Sequence, residues 1–474
     1  MPNTGTESQF EETVIDRLKA LGYRYQYGGE VERSGPAAVV LAAELRGYLQ
    51  RRYRALPAGV IEQAIEQITN PPGLTVERRN MAFQQLLRAG LIVTYEEAGV
   101  EQSAHIYLAD FERAELNELV VVNQLPIHSP STGNDRRPDV LIYLNGLPVV
   151  LFELKNPWHP EPTVNDAFNQ LQHYLHDLPQ LFNFNGFCVI SDGNRTLHGV
   201  HSAPLEWFAA WKSIDGRNVE PPTTSTTKTL IEGLFPKERL LNYLRNFIVH
   251  EVVHDKITKK AAKYHQFFAV NFAVEQVARA MQPEADKRAG VVWHTQGSGK
   301  SLEMVFMVGI LRRWPGLNPS IVIQVDRTDL DDQLYDSLVA GESLIGRVSQ
   351  AESVDDLRQK LRTEGGEVVC TTIEKFALKE GERQHPLLST RHNLLIVADE
   401  AHRTQYGFST ELRQREGGGY SASQGYALNM RQALPNAAYI GFTGTPIDRE
   451  EANTIQIFGD FTTRHQKLVS TKSC

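Results

Sequence analysis

Cysteine is nearly absent. The 474 residues contain three, Cys188, Cys370 and Cys474, far apart and with no CxxC pair. That excludes a disulfide framework, offers no zinc-ligand spacing and fits a reducing compartment. Long apolar runs are missing too: none approaches 18 residues, so no membrane-spanning helix is expected. Residues 1–10 have neither the basic start nor the apolar core of a signal peptide, and the chain is expected in the cytoplasm. Positive charge is not in excess. Lys+Arg number 49 against 57 Asp+Glu, a formal net charge of −8, so any nucleic-acid contact must be local. What remains is ordinary globular material, 41% hydrophobic and 22% charged, enough to bury sizeable cores. At about 150 residues per domain, the length has room for roughly three.

The chain opens with apolar residues at helical spacing, Phe10, Val14, Ile15, Leu18 and Leu21, stopped by Gly22. At 100° per residue, Glu11 borders the apolar face of this helix. Residues 37–89 stay helical and arginine-rich, interrupted at Asn70-Pro71-Pro72-Gly73, and no chemistry is legible in them. Strand-type text follows. Residues 139–144 and 147–155 flank Asn145-Gly146, the strongest short hairpin signal. A Pro/Thr/Ser stretch at 220–227 reads as a linker, with a domain boundary nearby. From about residue 259, apolar runs at 290–293, 320–325, 367–370, 393–398 and 437–441 alternate with helical text, which predicts a buried parallel sheet of βαβ units. The fold class expected is α/β throughout.

The run ending at Trp293 is followed by His294, Thr295, Gln296, Gly297, Ser298, Gly299, Lys300 and Ser301, then by a helical stretch. Strand, glycine-rich loop and helix in that order form the context of a phosphate-binding loop for ATP. Its glycines let backbone N–H groups approach phosphate oxygens, and the helix N-terminus adds a favourable dipole. Lys300 can reach the β- and γ-phosphates, and the Ser301 hydroxyl can bind Mg²⁺. His294 stands where the general GxxxxGK[ST] pattern has its first glycine. The run 394–398 ends in Asp399-Glu400-Ala401-His402. Asp399 at that strand end can hold Mg²⁺ through water, and Glu400 can orient and deprotonate an attacking water.

A second constellation lies upstream. Pro138-Asp139, thirteen residues, then Glu153-Leu154-Lys155 fits the PD-(D/E)xK nuclease pattern. Glu153 and Lys155, two apart on a strand, share a face. Asp139 and Glu153 can coordinate Mg²⁺ while Lys155 positions the nucleophile or stabilises charge on the phosphorane. Gln170 and Tyr174, at i and i+4 of a helical stretch, can contact the same site or DNA backbone. Their spacing is the QxxxY that accompanies the triad in a subset of such nucleases, and Glu11 is a candidate for an additional acidic ligand. One geometric condition attaches. A strict two-residue turn at Asn145-Gly146 would pair Asp139 with Phe152, on the face away from Glu153. Pro148 lacks an N–H and predicts a longer loop or a bulge that shifts the register by one.

The combination of 138–155 with 293–301, 398–407 and Gly441-Phe442-Thr443-Gly444-Thr445-Pro446 resembles the restriction subunit of type I restriction-modification enzymes, over about residues 5–460. The resemblance implies an endonuclease domain at 1–230, a connecting segment at 231–258, the first RecA-like lobe of a superfamily 2 motor at 259–460, and an irregular tail at 461–474. It implies ATP and Mg²⁺ as cofactors, double-stranded DNA as substrate, and methyltransferase and specificity subunits as partners, without a membrane. Superfamily 2 motors commonly relax the position that His294 holds. They read adenine with a glutamine placed like Gln266, which by itself is also a polar helix cap. Residues 441–446 match the motif linking nucleotide state to DNA, and are also a plain turn. Segments 324–333 and 371–375 look like DNA-contacting motifs, or solvated loops. Members of the family continue past this point into a second lobe with further ATP-site arginines, so this chain reads as a fragment. An ATP-dependent repair nuclease or stand-alone helicase, and an inactive remnant, are the other classes compatible with the motifs.

Overall fold

The structure is a computed structural model and describes residues 6–158, 163–294, 297–325, 328–362, 365–382, 384–401, 411–414, 420–423, 426–444, 458 and 461–463. The chain divides into two compact units at Tyr264/His265.

The first unit starts with α1 (Glu7–Ala20), whose Thr6 cap accepts from the Gln9 N–H while Gln9 reaches back to the Thr6 backbone. Phe10, Glu11, Val14, Ile15 and Leu18 are its buried face, as the periodicity predicts. After β1 (Arg24–Tyr27) come α2 (Ala42–Arg52), α3 (Ala58–Thr69) and α4 (Val76–Ala89). Then follow β2 (Leu119–Asn123), β3 (Val140–Leu144), β4 (Leu147–Leu154), α5 (Val164–Asp177), β5 (Phe187–Ser191) and β6 (Thr196–Gly199). The six strands form one sheet in chain order, β1-β2-β3-β4-β5-β6. β1 with β2 and β4 with β5 are parallel, and the other pairs antiparallel. Every residue of β4 is buried, as a central strand covered on both faces requires. α1 packs against β1 and β4, and α5 packs against β4 and β5.

The β3–β4 hairpin decides the geometry of the site. Its turn is Asn145-Gly146, with φ of 51° and 85°, the left-handed pair a tight hairpin needs. A side chain at Gly146 would also meet the Leu41 carbonyl at 2.5 Å. Leu144 pairs with Leu147 and Tyr143 with Pro148, but Ile142 pairs with Val150 and Val140 with Phe152. Val149 is the extra residue of a bulge. Its carbonyl accepts from the Gly186 N–H at 2.7 Å, so that buried acceptor keeps a partner. The irregularity expected from Pro148 is therefore present, and the shift by one brings Asp139 level with Glu153 instead of Phe152.

Two organisational expectations are revised. The 220–227 stretch is no free linker: Ser225 caps α6 (Thr226–Leu234), and α7 (Lys237–Asn246) follows. A hairpin over Ile248–Val253 and Lys256–Ala261 completes this unit. Segment 231–258 is therefore not a connector. It buries Leu240, Leu241, Tyr243 and Leu244 in the first unit, and Tyr23 Oη donates to the Phe235 carbonyl at 2.7 Å. The amphipathic spacing outweighs the Pro/Thr/Ser composition before it.

The second unit opens with α8 (Tyr264–Ala280). Its sheet strands are β7 (Arg288–Trp293), β8 (Ser320–Val325), β9 (Val348–Gln350), β10 (Val368–Thr372), β11 (Leu394–Ala398), β12 (Ala438–Thr443) and β13 (Phe461–Thr463). They run in the order β9-β10-β8-β11-β12-β7-β13, and every registered pair is parallel. α9 (Lys300–Arg312) follows β7 through the glycine-rich loop. The apolar runs read as strands are strands, to within two residues, but β9 and β13 were not expected, and β13 pairs with β7 inside the stretch 461–474 read as an irregular tail.

Candidate active sites

In the first unit the acidic and lysine residues gather where β3 begins and β4 ends. Asp139 Oδ2 accepts the Leu154 N–H at 2.7 Å, which ties the carboxylate to the backbone between Glu153 and Lys155. Lys155 Nζ donates to Glu153 Oε1 at 2.5 Å. Glu153 is 2% exposed, and its other oxygen, Oε2, is buried with no hydrogen-bond partner. Burial, reinforced by the Asp139 charge and opposed by Lys155, pushes the Glu153 carboxyl up to about 8. Burial also pushes Asp139 up to about 6, against the Leu154 N–H and Lys155. For Lys155, burial works against its charge but the Glu153 and Asp139 carboxylates outweigh it, and the ammonium is held above its ordinary range.

α5 brings up the other two predicted residues. Tyr174 is buried, its hydroxyl donates to the Arg137 carbonyl at 3.2 Å, and it interacts with both Glu153 and Gln170. Burial and the negative charge of Glu153 and Asp139 hold its phenol well above the usual range, so it acts as a neutral hydrogen-bonding group. Gln170 sits one turn earlier and half-buried.

Glu11 arrives from α1 but does not meet Asp139 directly. Its Oε1 accepts from Asn123 Nδ2 at 2.6 Å and its Oε2 from Gln124 Nε2 at 2.7 Å, and Gln124 Nε2 also lies 3.2 Å from Asp139 Oδ1. Asn123 and Gln124 were invisible to sequence reasoning. The only trace they leave is a polar pair closing the apolar run Leu119–Val122.

Divalent-cation chemistry suits this centre in one respect. Two buried carboxylates, one with an unpartnered oxygen, are what Mg²⁺ uses when its remaining ligands are waters and substrate phosphate. Among the described residues no three or more acidic, His or Cys side chains are grouped to hold an ion by themselves. Asp139 and Glu153 would be the ligands, with Glu11 held back by its two amides.

In the second unit the loop leads into α9 at Gly299, whose φ is 91°. Lys300 Nζ lies 2.5 Å from Glu400 Oε1 and 3.9 Å from Asp399 Oδ1, although a hundred residues separate them. Asp399 N–H donates to the Gln324 carbonyl at 2.8 Å, extending β11 alongside β8. Glu400 has a left-handed φ of 47° and its N–H donates to Asp399 Oδ1, so the chain turns sharply where these carboxylates face the lysine. Gln266, 3% exposed near the start of α8, approaches the loop, Nε2 donating to the Ser298 and Gly299 carbonyls at 3.2 and 3.4 Å. Gly297 and Ser301 take their expected places before and within α9. His294 has a structural part: its Nδ1 meets Glu303 Oε1 at 2.5 Å, both side chains fully buried, which ties the strand end to the first turn of α9. Thr295, Gln296, His402, Thr445 and Pro446 lie outside the described residues, as do the tail residues 464–474.

The molecule is thus an α/β protein with a carboxylate–lysine centre on one unit and, on the other, a glycine-rich segment leading into a helix whose Lys300 faces Asp399 and Glu400. Family comparisons agree with that division. Residues 5–207 match the type I restriction enzyme R protein N terminus, and residues 265–468 match the SWI2/SNF2 ATPase. The type I restriction enzyme HindI endonuclease subunit of Haemophilus influenzae is 39% identical over 468 residues, covering 96% of this chain and 44% of that protein. A putative type I restriction enzyme endonuclease subunit of Methanocaldococcus jannaschii, MjaIXP, is 31% identical, covering 95% of this chain and 43% of its own length. This chain belongs with the endonuclease subunits of type I restriction enzymes, and it spans less than half the length of these two relatives. No helix among its described residues is long and apolar enough to cross a membrane.

Proposed function

We propose that the first unit is a PD-(D/E)xK endonuclease acting on double-stranded DNA with Mg²⁺, and that the second is the first RecA-like lobe of an ATP-driven DNA translocase. The observation that carries this reading is the bulged β3–β4 hairpin, which sets Asp139 level with Glu153 and leaves Lys155 bonded to Glu153. Asp139 and Glu153 would hold Mg²⁺, which supplies Lewis acidity at the scissile phosphate and acidifies a bound water. Lys155 orients and offsets negative charge on the phosphate, and Tyr174 and Gln170 border the centre from the helix side, where they can contact the substrate backbone. In the second unit Lys300 and the loop amides would bind the ATP phosphates, Ser301 and Asp399 the accompanying Mg²⁺, and Gln266 the base, with Glu400 orienting the attacking water. Methyltransferase and specificity subunits of a cytoplasmic restriction complex are the partners this reading requires. The test is duplex cleavage by Glu153→Gln beside ATP photolabelling of the same protein. Cleavage lost with labelling retained is expected, and cleavage at the unmutated rate contradicts the assignment.

A further inference from the structure

We propose that Gln124 is a positioning residue of the acidic centre, a side-chain donor that fixes Glu11 and Asp139 relative to one another so that the centre binds a divalent cation tightly. The inference rests on the nuclease reading of that centre. Gln124 directly follows β2 and takes a φ of 50°, a left-handed conformation that only a few per cent of non-glycine residues adopt. Its backbone N–H donates to the Asp139 carbonyl at 3.0 Å, so both residues are registered against one another at main-chain level. Its side-chain nitrogen is shared by two carboxylates from different elements, Glu11 Oε2 on α1 at 2.7 Å and Asp139 Oδ1 before β3 at 3.2 Å.

The choice of residue type follows from that geometry. A carboxamide nitrogen carries two N–H groups and no charge, so it can serve both acids at once without occupying the site as a cation would. Each carboxylate oxygen has further lone pairs, so Asp139 Oδ1 can accept from Gln124 and still face an ion. The isosteric glutamate would turn the donor into a third carboxylate. Asn123 completes the clamp from the neighbouring position, donating to Glu11 Oε1 at 2.6 Å while accepting from the Tyr25 hydroxyl at 3.0 Å. Outer partners that orient metal-binding side chains in this way typically change metal affinity about 10–100-fold when removed.

The test is Mn²⁺ binding to the full chain, read from the electron paramagnetic resonance signal of the free ion, with no DNA or ATP present. Gln124→Ala and Gln124→Gly are each expected to weaken the site that Glu153→Gln removes, by about 10–100-fold. Gln124→Gly separates the causes, because glycine accepts the left-handed backbone and lacks only the donor. It also keeps the test available should Gln124→Ala fail to fold. Wild-type affinity in Gln124→Gly overturns the assignment of Gln124. Wild-type Mn²⁺ binding in Glu153→Gln overturns instead the reading of the centre itself.

Discussion

Glu153 is the most perturbed carboxyl of the acidic centre, and its protonation links the site to folding. Its carboxyl is raised from 4.5 to about 8, because burial and the Asp139 charge disfavour the anion. The folded protein therefore binds this proton more tightly than the unfolded chain does. The stabilisation it brings is fully present below about pH 4.5 and is lost as pH rises through about 8. In chelator, denaturant unfolding of the wild type should show a Glu153-dependent fall in stability over that interval, and Glu153→Gln should flatten it. Equal slopes for the two proteins would contradict the burial argument. A divalent cation binds the deprotonated form, so its stabilising effect should grow with pH over the same range. At this scale Asp139, Glu153, Lys155, Lys300, Asp399 and Glu400 were legible because charged residues at the ends of apolar runs stand out. Asn123 and Gln124 were not, since an uncharged amide has no spacing rule and owes its place to a partner more than a hundred residues away, Glu11.

Among the elements, the β3–β4 hairpin does the most to assemble the site. Asn145 supports it three ways: a left-handed φ, Nδ2 donating to the Leu108 carbonyl and Asn117 Oδ1, and Oδ1 accepting the Glu118 N–H. Asn145→Ala removes these buried bonds and strains the turn, so equilibrium unfolding should show a loss of about 2–4 kcal/mol. A change under about 0.5 kcal/mol would mean that the turn is not stabilised by this side chain. Asn-Gly and Pro148 made both turn and bulge readable, because each acts through local backbone chemistry. The edge strand β1 was missed: Arg24, Tyr25, Gln26 and Tyr27 are all exposed or half-exposed, and no apolar alternation marks them. The inner parallel strands β8, β10, β11 and β12 and the strand β7 were the easiest to find, since burial on both faces turns them into continuous apolar runs, whereas the edge strand β9, buried only at Val348, was missed.

Across the whole molecule, each unit has its own sheet, core and site, and chemistry on one should survive loss of the other. Lys300→Ala should abolish ATP photolabelling and leave Mn²⁺ binding at Asp139/Glu153 intact, while Lys155→Ala should leave ATP labelling unchanged. Loss of both activities in either variant would contradict independent sites. The net charge of −8 is compatible with a DNA enzyme here, because the proposed contacts are confined to two centres and do not depend on a basic field over the surface. The division into two units was legible from the change to βαβ text. The second unit's start was read at 259 against the observed His265, but the end of the first unit, placed at 230, was not legible, because segment 226–261 docks on that unit through contacts remote in sequence, such as Arg88 Nε to the Arg245 carbonyl at 2.9 Å.

The central claim is that the Asp139–Glu153–Lys155 cluster cleaves DNA, and nicking of supercoiled plasmid by the purified chain in Mg²⁺ tests it most directly. The wild type should convert supercoiled to open-circular DNA in Mg²⁺ and not in EDTA, and Lys155→Ala should be slower by about 10²–10³-fold or more. Identical nicking traces for wild type and Lys155→Ala would contradict it.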